Sequence, residues 1–349
     1  MTSWRSAGRR TAVVAGWVLA AGLSVVGLSR LFRSESEPAL IGVQGFGMWL
    51  LLPAYPLAVA AVVTRKKALA GFAVALALGN VVWASEMVEH GRDQPAPAGA
   101  ATLRLVSANL LVTNPDIGAL GRDLAATGAD VIVLQEVSAE HLTGLASSGL
   151  LAAYPYQVLD PRPEFHGSAI LSTLPLADGR AFDVAGSPMT RADITIGARI
   201  VRLINVHTVA PLNESQAVRW RAQLDLLSQM KAPEGGTLVM AGDFNATLDH
   251  APMSALVSAG MRDAFSEAGQ GIGATWPQSS GPMPALMRLD HVLVSDTVVV
   301  MSAQVQPNPG SDHHRLSVEL ALPPAGDPAG SASTSVSAQQ PESISAASP

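Results

Sequence analysis

The first ninety residues restrict the fold before anything else does, because three apolar runs stand there with no charge inside them. Residues 11–29, 39–63 and 68–85 each approach or exceed the ~20 residues that a helix needs to cross a bilayer core. Pro53 and Pro56 are expected to kink the second run, which membrane helices tolerate where neighbours satisfy the freed carbonyls. Arg5, Arg9 and Arg10 precede the first run, and Arg65-Lys66-Lys67 separates the second from the third. The intervening loop instead mixes Arg30 and Arg33 with Glu35 and Glu37. The positive-inside rule then puts the amino terminus and the second loop in the cytoplasm and everything after Glu86 outside. The competing reading of the first run is a cleaved signal peptide, with Arg9-Arg10 hinting at a twin-arginine leader. No small-residue cleavage site follows it, and two further spans would anchor the chain in either case. The expected organisation is a multi-pass membrane anchor over residues 1–90, a linker over 91–101, an extracytoplasmic domain over 102–321 and a disordered tail over 322–349.

The domain beyond the anchor is acidic. Residues 101–321 hold 13 Lys+Arg against 21 Asp+Glu, a net charge of −8, and Lys231 is the only lysine among them. A protein gripping long duplex DNA through many phosphates carries a basic stripe, so this balance argues against a large nucleic-acid footprint. Bound divalent cations would offset part of the negative charge locally. Cysteine is absent, which excludes disulfides and thiolate metal sites.

Along this domain, short apolar runs alternate with turn signals. Residues 103–110 read as a first strand, and Asn114-Pro115 as a helix cap followed by proline at the first helical position. Residues 130–134 form a β-branched strand, the stretch around Tyr154 and Pro161 reads as loop, and 167–172 is another strand. Strict alternation over 200–207 puts Asn205 and His207 on one face. Residues 214–230 have a helical period, with Ala217, Trp220, Leu224 and Leu227 inward and Arg219, Arg221 and Gln223 on the wet side. Residues 237–241 read as a buried strand, 251–259 as a short helix, and 289–294, 297–305 and 316–320 as further strands. Two sheets packed face to face with helices outside bury this pattern well. A doubly wound parallel sheet accounts for the first half but fits the closely spaced later strands poorly.

The chemistry sits at strand ends. Gly242-Asp243-Phe244-Asn245 closes the 237–241 run, and Gly242 breaks it where the backbone must turn. Asp and Asn are also ordinary turn residues, so this motif alone decides nothing. It has company: Asn109, Gln135-Glu136, Asn205-x-His207, Leu289-Asp290-His291 and Ser311-Asp312-His313 each follow or close a strand. Glu136 would be costly to bury unpaired, although a surface position past the strand end is the simpler alternative. Asp312-His313-His314 could equally be a solvated turn. Asp290, embedded in an apolar strand, needs a donor, for which a histidine is suited. Together the set offers hard oxygen ligands in Asn109, Glu136 and Asp312, no sulfur, and proton-transfer candidates in His207 and His313. Hard oxygens suit Mg²⁺ or Mn²⁺ rather than zinc. Phosphoryl hydrolysis needs these parts: a cation on the phosphate, a carboxylate for the water and an acid for the leaving oxygen.

In their order along the chain, these motifs, with Gly167-x-Ala169-Ile170-Leu171-Ser172 and Thr275-Trp276-Pro277, resemble the endonuclease/exonuclease/phosphatase superfamily, the fold of pancreatic deoxyribonuclease. The resemblance covers residues 103–321 and none of the anchor. It implies a four-layer α/β/β/α sandwich, here preceded by three transmembrane helices, with the site at one rim. It also implies that Glu136 is the main metal ligand, helped by Asn109 and Asp312, for Mg²⁺ or Mn²⁺. Asp243 would orient or deprotonate the water, Asn245 would hold a phosphate oxygen, and Asp290 would orient His313. His207 and His313 would share phosphate binding and acid–base work. The implied activity is hydrolysis of a phosphodiester in a nucleic acid or a phospholipid head group by a membrane-anchored enzyme, the lipid bilayer being engaged through the N-terminal helices. The alternative is a catalytically inactive binding module of the same fold. No carboxylate clearly matches the family's partner for the first histidine; Glu164 is merely near in sequence.

Overall fold

The computed structural model describes residues 2–32, 37–279 and 281–324, with the backbone alone for residues 2–7, 9 and 32. The expected tail therefore lies outside the described residues from position 325 onward. The N-terminal segment forms α1 (Thr2–Phe32), α2 (Pro38–Gly45), α3 (Gly47–Leu50), α4 (Ala54–Val63) and α5 (Lys67–Met87).

The expectation of three transmembrane helices needs correction. Among the described residues two helices are long and apolar enough to cross a membrane, Arg10–Leu31 and Lys67–Met87. The second run is a broken pair, α2 meeting the α3–α4 arm at 79°, and gives a third crossing only if the bent pair acts as one span. The break falls at Phe46 between two glycines and not at the prolines, Pro53 serving as the residue before α4. Gly47 is needed there because any Cβ would sit 1.9 Å from the Trp83 ring of α5.

Among the described residues the strands in chain order are β1 (Glu89–His90), β2 (Ala101–Asn109), β3 (Val131–Gln135), β4 (Tyr156–Asp160), β5 (Ser168–Ser172), β6 (Leu176–Val184), β7 (Ser187–Ile196), β8 (Arg199–His207), β9 (Thr237–Asp243), β10 (Met261–Asp263), β11 (Gln270–Gly271), β12 (Asp290–Ser295), β13 (Val299–Gln306) and β14 (Arg315–Leu322), of which β1 and β11 pair apart from the sandwich. One six-stranded sheet runs β10-β12-β9-β8-β7-β6 and the other β13-β14-β2-β3-β5-β4. This excludes the doubly wound alternative. Leu103, Leu105, Val133, Leu203, Val239, Val292 and Leu316 fill the space between the sheets. Helices α6 (Ile117–Ala126), α7 (Ala139–Ser147) and α8 (Leu150–Ala153) cover the second sheet, burying Leu120, Leu124, Leu145 and Leu150. Helices α9 (Glu214–Ser228) and α10 (Ala251–Ser258) cover the first with Trp220, Leu224, Met253 and Leu256. Four layers result, because each sheet has two apolar faces to remove from water.

Several local expectations change. Asn114 is no helix cap: Asp116 is the residue before α6, while Asn114 ties the loop by donating to Leu110 O and Pro309 O. Residues 156–160 are a strand and not a loop, pairing with β5. Gln223 is fully buried, accepting from Val209 N and donating to Val184 O, so it lies on the inner and not the wet side of α9. The 91–101 segment follows the surface closely, with Gln94 N donating to Met301 O.

Candidate active site

Topology alone gathers the strand ends. β2 runs parallel to β3 and β8 parallel to β9, while β14 is antiparallel to β2 and β12 to β9. The carboxyl ends of β2, β3, β8 and β9 therefore share one rim with the amino ends of β12 and β14. Register places Asn109 beside Gln135, and Asp243 between His207 and Asp290. Gly242 permits this: at φ 147° its position would put a Cβ 1.9 Å from Val206 O, where no side chain fits.

Asn109 joins the two sheets. Its Nδ2 donates to Glu136 Oε1 at 3.1 Å and to Asp243 Oδ2 at 3.2 Å, and its Oδ1 accepts from Leu111 N. Glu136 has a left-handed backbone, φ 60°, which costs a non-glycine residue about 1–3 kcal/mol. That turn folds the carboxylate back so that Oε2 accepts from Val112 N at 2.8 Å. The buried His141 secures the turn, its Nδ1 lying 3.0 Å from Glu136 O. Sequence reasoning missed His141, since nothing in its α7 context marks it as facing a strand end.

Asp243 stands at the centre. Its Oδ1 accepts from Asn245 N at 2.8 Å, and its Oδ2 lies 3.8 Å from His207 Nε2 and 3.7 Å from His313 Nε2. His207 Nε2 is also 3.9 Å from Glu136 Oε1. On the far side His313 Nδ1 meets Asp290 Oδ2 at 2.8 Å. Asn245 Nδ2 gives one hydrogen to Thr208 O, and Asp312 Oδ2 accepts from Trp276 Nε1. Glu136, His207, Asp243, Asn245, Asp312 and His313 line a single cavity of about 920 Å³. Asn109 and Asp290 lie fully buried behind it. Asn205 shares its face with His207 as expected, but it is buried between the sheets, donating to Leu134 O and Ala169 O. Glu164 is exposed.

The electrostatics follow from burial among opposed charges. Burial works against a charged His313, but Asp290 and Asp243 outweigh it and push the imidazole up to about 10. Burial lowers His207, with Asp243 opposing, and raises Asp243, with His313 opposing. Asp243, Asp290 and His313 present ligand atoms within 4.8 Å of one another. The donor set fits a hard divalent cation: carboxylates of Glu136 and Asp243 converge on one amide, and Asp290 Oδ1 is buried without a hydrogen-bond partner. Asn109, however, turns its Nδ2 toward these carboxylates, leaving its Oδ1 on the backbone.

Carboxylates and an Asp–His pair gathered at one rim of a two-sheet sandwich offer the hard oxygens and proton carriers that phosphoester hydrolysis uses. A profile of the endonuclease/exonuclease/phosphatase family matches residues 106–313, and the chain belongs to that family, whose enzymes are generally hydrolytic and divalent-metal dependent. Solved structures share the fold. An endonuclease/exonuclease/phosphatase protein from Beutenbergia cavernae is 19% identical with a TM-score of 0.54, covering 64% of this chain and 72% of that one. One from Bacteroides thetaiotaomicron is 16% identical with a TM-score of 0.52, covering 64% and 99%. TDP2 from D. rerio, solved with a single-strand DNA product, is 17% identical with a TM-score of 0.52, covering 63% and 98%. No curated protein matches the sequence.

Proposed function

We propose that this chain is a membrane-anchored, divalent-metal-dependent phosphodiesterase that attacks phosphorus with water, its catalytic domain held outside the cytoplasmic membrane. The observation that carries this reading is the meeting of Glu136, His207, Asp243 and His313 in one cavity, from strand ends in both sheets. Family membership supports the reaction class. The apolar helices support the anchoring, and the basic Arg65-Lys66-Lys67 loop supports the orientation when the bent α2–α4 pair is counted as the third crossing. The substrate class at this level is a phosphodiester, in a nucleic acid, as the D. rerio TDP2 complex suggests, or in a phospholipid.

Glu136 would hold the metal, Mg²⁺ or Mn²⁺, with Asp312 and Asn109 assisting, the latter after its amide turns its oxygen inward. When bound, such an ion neutralises phosphate charge and polarises the phosphorus–oxygen bond. The protein's own groups do the rest. Asp243 Oδ2 orients the attacking water and accepts its proton. His313, oriented by Asp290, presents Nε2–H to the phosphate. His207 faces the same point from the opposite strand, and Asn245 has a second amide hydrogen for a phosphate oxygen. Purified full-length protein should hydrolyse bis(4-nitrophenyl) phosphate in Mg²⁺ or Mn²⁺. Asp243→Ala and His313→Ala should each lose at least ~100-fold with the fold retained, in line with the loss of a proton-transfer group. Undiminished turnover by either variant rejects the assignment.

A further inference from the structure

The anchor does more than tether. α2 lies at 79° to the α3–α4 arm, so if that arm crosses the bilayer α2 runs along its surface. It is docked against the sandwich and not merely near it. Ile41 is 3% exposed and belongs to the core cluster of Phe244 and Trp220. Ile41 O is 3.0 Å from His250 Nε2, and a Cβ on Gly45 would come within 2.8 Å of Met287 Sδ. Neighbouring contacts repeat the docking: Trp49 Nε1 donates to Leu286 O, Trp83 Nε1 to Asp249 Oδ2, and Phe46 meets Trp276 edge-on.

In this position α2 becomes one wall of the catalytic cavity. Pro38, Ala39, Gly42 and Phe46 line it together with Glu136, His207 and His313, and the apolar Phe165 and Leu212 add a lip to the same lining. Leu212 is 79% exposed, an apolar side chain in water unless something covers it. Among the described residues lining the cavity none is lysine or arginine. A groove tracking a nucleic-acid backbone would need those cations. The cavity is instead polar at its floor and apolar along the side that a membrane helix supplies.

Resting on the phosphodiesterase reading above, we infer that the substrate is a membrane lipid phosphodiester, its phosphate at the rim residues and its hydrocarbon chain lying between α2 and the Phe165/Leu212 lip. The anchor is thus part of the substrate site. A lipid would reach it by lateral movement in the leaflet, with the chain remaining in apolar surroundings throughout.

The test compares two phosphodiesters that differ only in chain length, ethyl 4-nitrophenyl phosphate and hexadecyl 4-nitrophenyl phosphate. The full chain is reconstituted in phosphatidylcholine nanodiscs with Mn²⁺. In both, water attacks phosphorus, the bond to the nitrophenyl oxygen breaks, and 4-nitrophenolate leaves with the alkyl phosphate as the other product. The hexadecyl ester should be favoured at least ~10-fold in kcat/KM. Because partitioning into the disc raises that ratio for any tethered enzyme, the deciding quantity is how wall variants change it. Gly42→Trp, whose Cβ meets nothing within 4 Å, fills the groove and should lower the ratio at least ~5-fold. Leu212→Gln, on an exposed position that the fold does not need, should lower it in the same direction. Ratios that stay at the wild-type value in both variants overturn the proposal, as does faster cleavage of a single-stranded DNA oligonucleotide than of the hexadecyl ester. Turnover of both esters without chain preference defeats the lipid inference alone, whereas no turnover of either defeats the phosphodiesterase reading and this one with it.

Discussion

Asp290 Oδ2 lies 2.8 Å from His313 Nδ1, joining the first residue of β12 to the loop that leads into β14. The two residues are 23 positions apart in sequence and both are buried. Asp290 is the acceptor that an embedded carboxylate requires inverted: it supplies the negative charge that keeps the imidazole protonated at a site where burial alone would strip the proton.

Replacing Asp290 with Asn keeps the shape and removes that charge. Turnover of bis(4-nitrophenyl) phosphate by Asp290→Asn should fall ~10²–10⁴-fold in kcat with little change in KM, the range seen when an orienting carboxylate behind a catalytic histidine is neutralised. Steady-state kinetics with a thermal melt as control checks it.

Glu136 carries the largest share of the proposed metal binding, and its carboxylate is held by Val112 N and Asn109 Nδ2. Glu136→Gln should weaken Mn²⁺ binding by at least ~10-fold in calorimetry while the melting transition of the metal-free protein changes little. Chelation of the wild-type protein should abolish turnover, and added Mn²⁺ should restore it.

Gly242→Ala tests the turn that presents Asp243. The new methyl group would meet Val206 O at 1.9 Å in a backbone conformation that favours glycine, so β8 and β9 must separate. A loss of at least ~2 kcal/mol in stability is expected from denaturant melts, within the range for strained backbone and overpacking.

A second buried pair, away from the cavity lining, should govern acid stability. Burial alone would raise Asp263, but Arg288 and the His291 hydrogen bond at 2.7 Å together hold its carboxyl well below the ordinary value of 3.8. A depressed folded-state value means that the stabilisation is fully present above the unfolded value and is lost as pH falls through and below it. Asp263→Ala should cost about 3–5 kcal/mol at pH 7, because it leaves buried His291 Nδ1 without its partner and takes from Arg288 one of its two carboxylates, Glu89 being the other. The difference between the two proteins' melting curves should begin to shrink below pH 4 and go on shrinking below pH 2. A constant difference across that window would show that Asp263 acts through packing and not through charge.

Much of the polar rim was legible from residue types and their order. Asn109, Glu136, His207 and Asp243 end or follow apolar runs as expected, whereas Asp290 opens β12 and His313 precedes β14, so the rim joins carboxyl ends of four strands to amino ends of two. What escaped the sequence depends on contacts between distant segments. Gln223 occupies a position in α9 that charge and polarity assign to water, yet Val209 and Val184 supply it with backbone partners. β6 and β4 were hidden because polar, partly exposed strands at a sheet edge lack a strong apolar signature.

Local chemistry along the chain determined where strands would stop, which ends would carry carboxylates and histidines, and which stretches were too apolar for water. Those properties belong to neighbouring residues and survive without a fold. Whether the second apolar run would cross, bend or dock was decided only when Gly45 met Met287, Gly47 met Trp83 and Ile41 entered the sandwich core. Hydropathy measures transfer out of water and is blind to what replaces it, so the sequence could mark α2 as buried without telling lipid from protein.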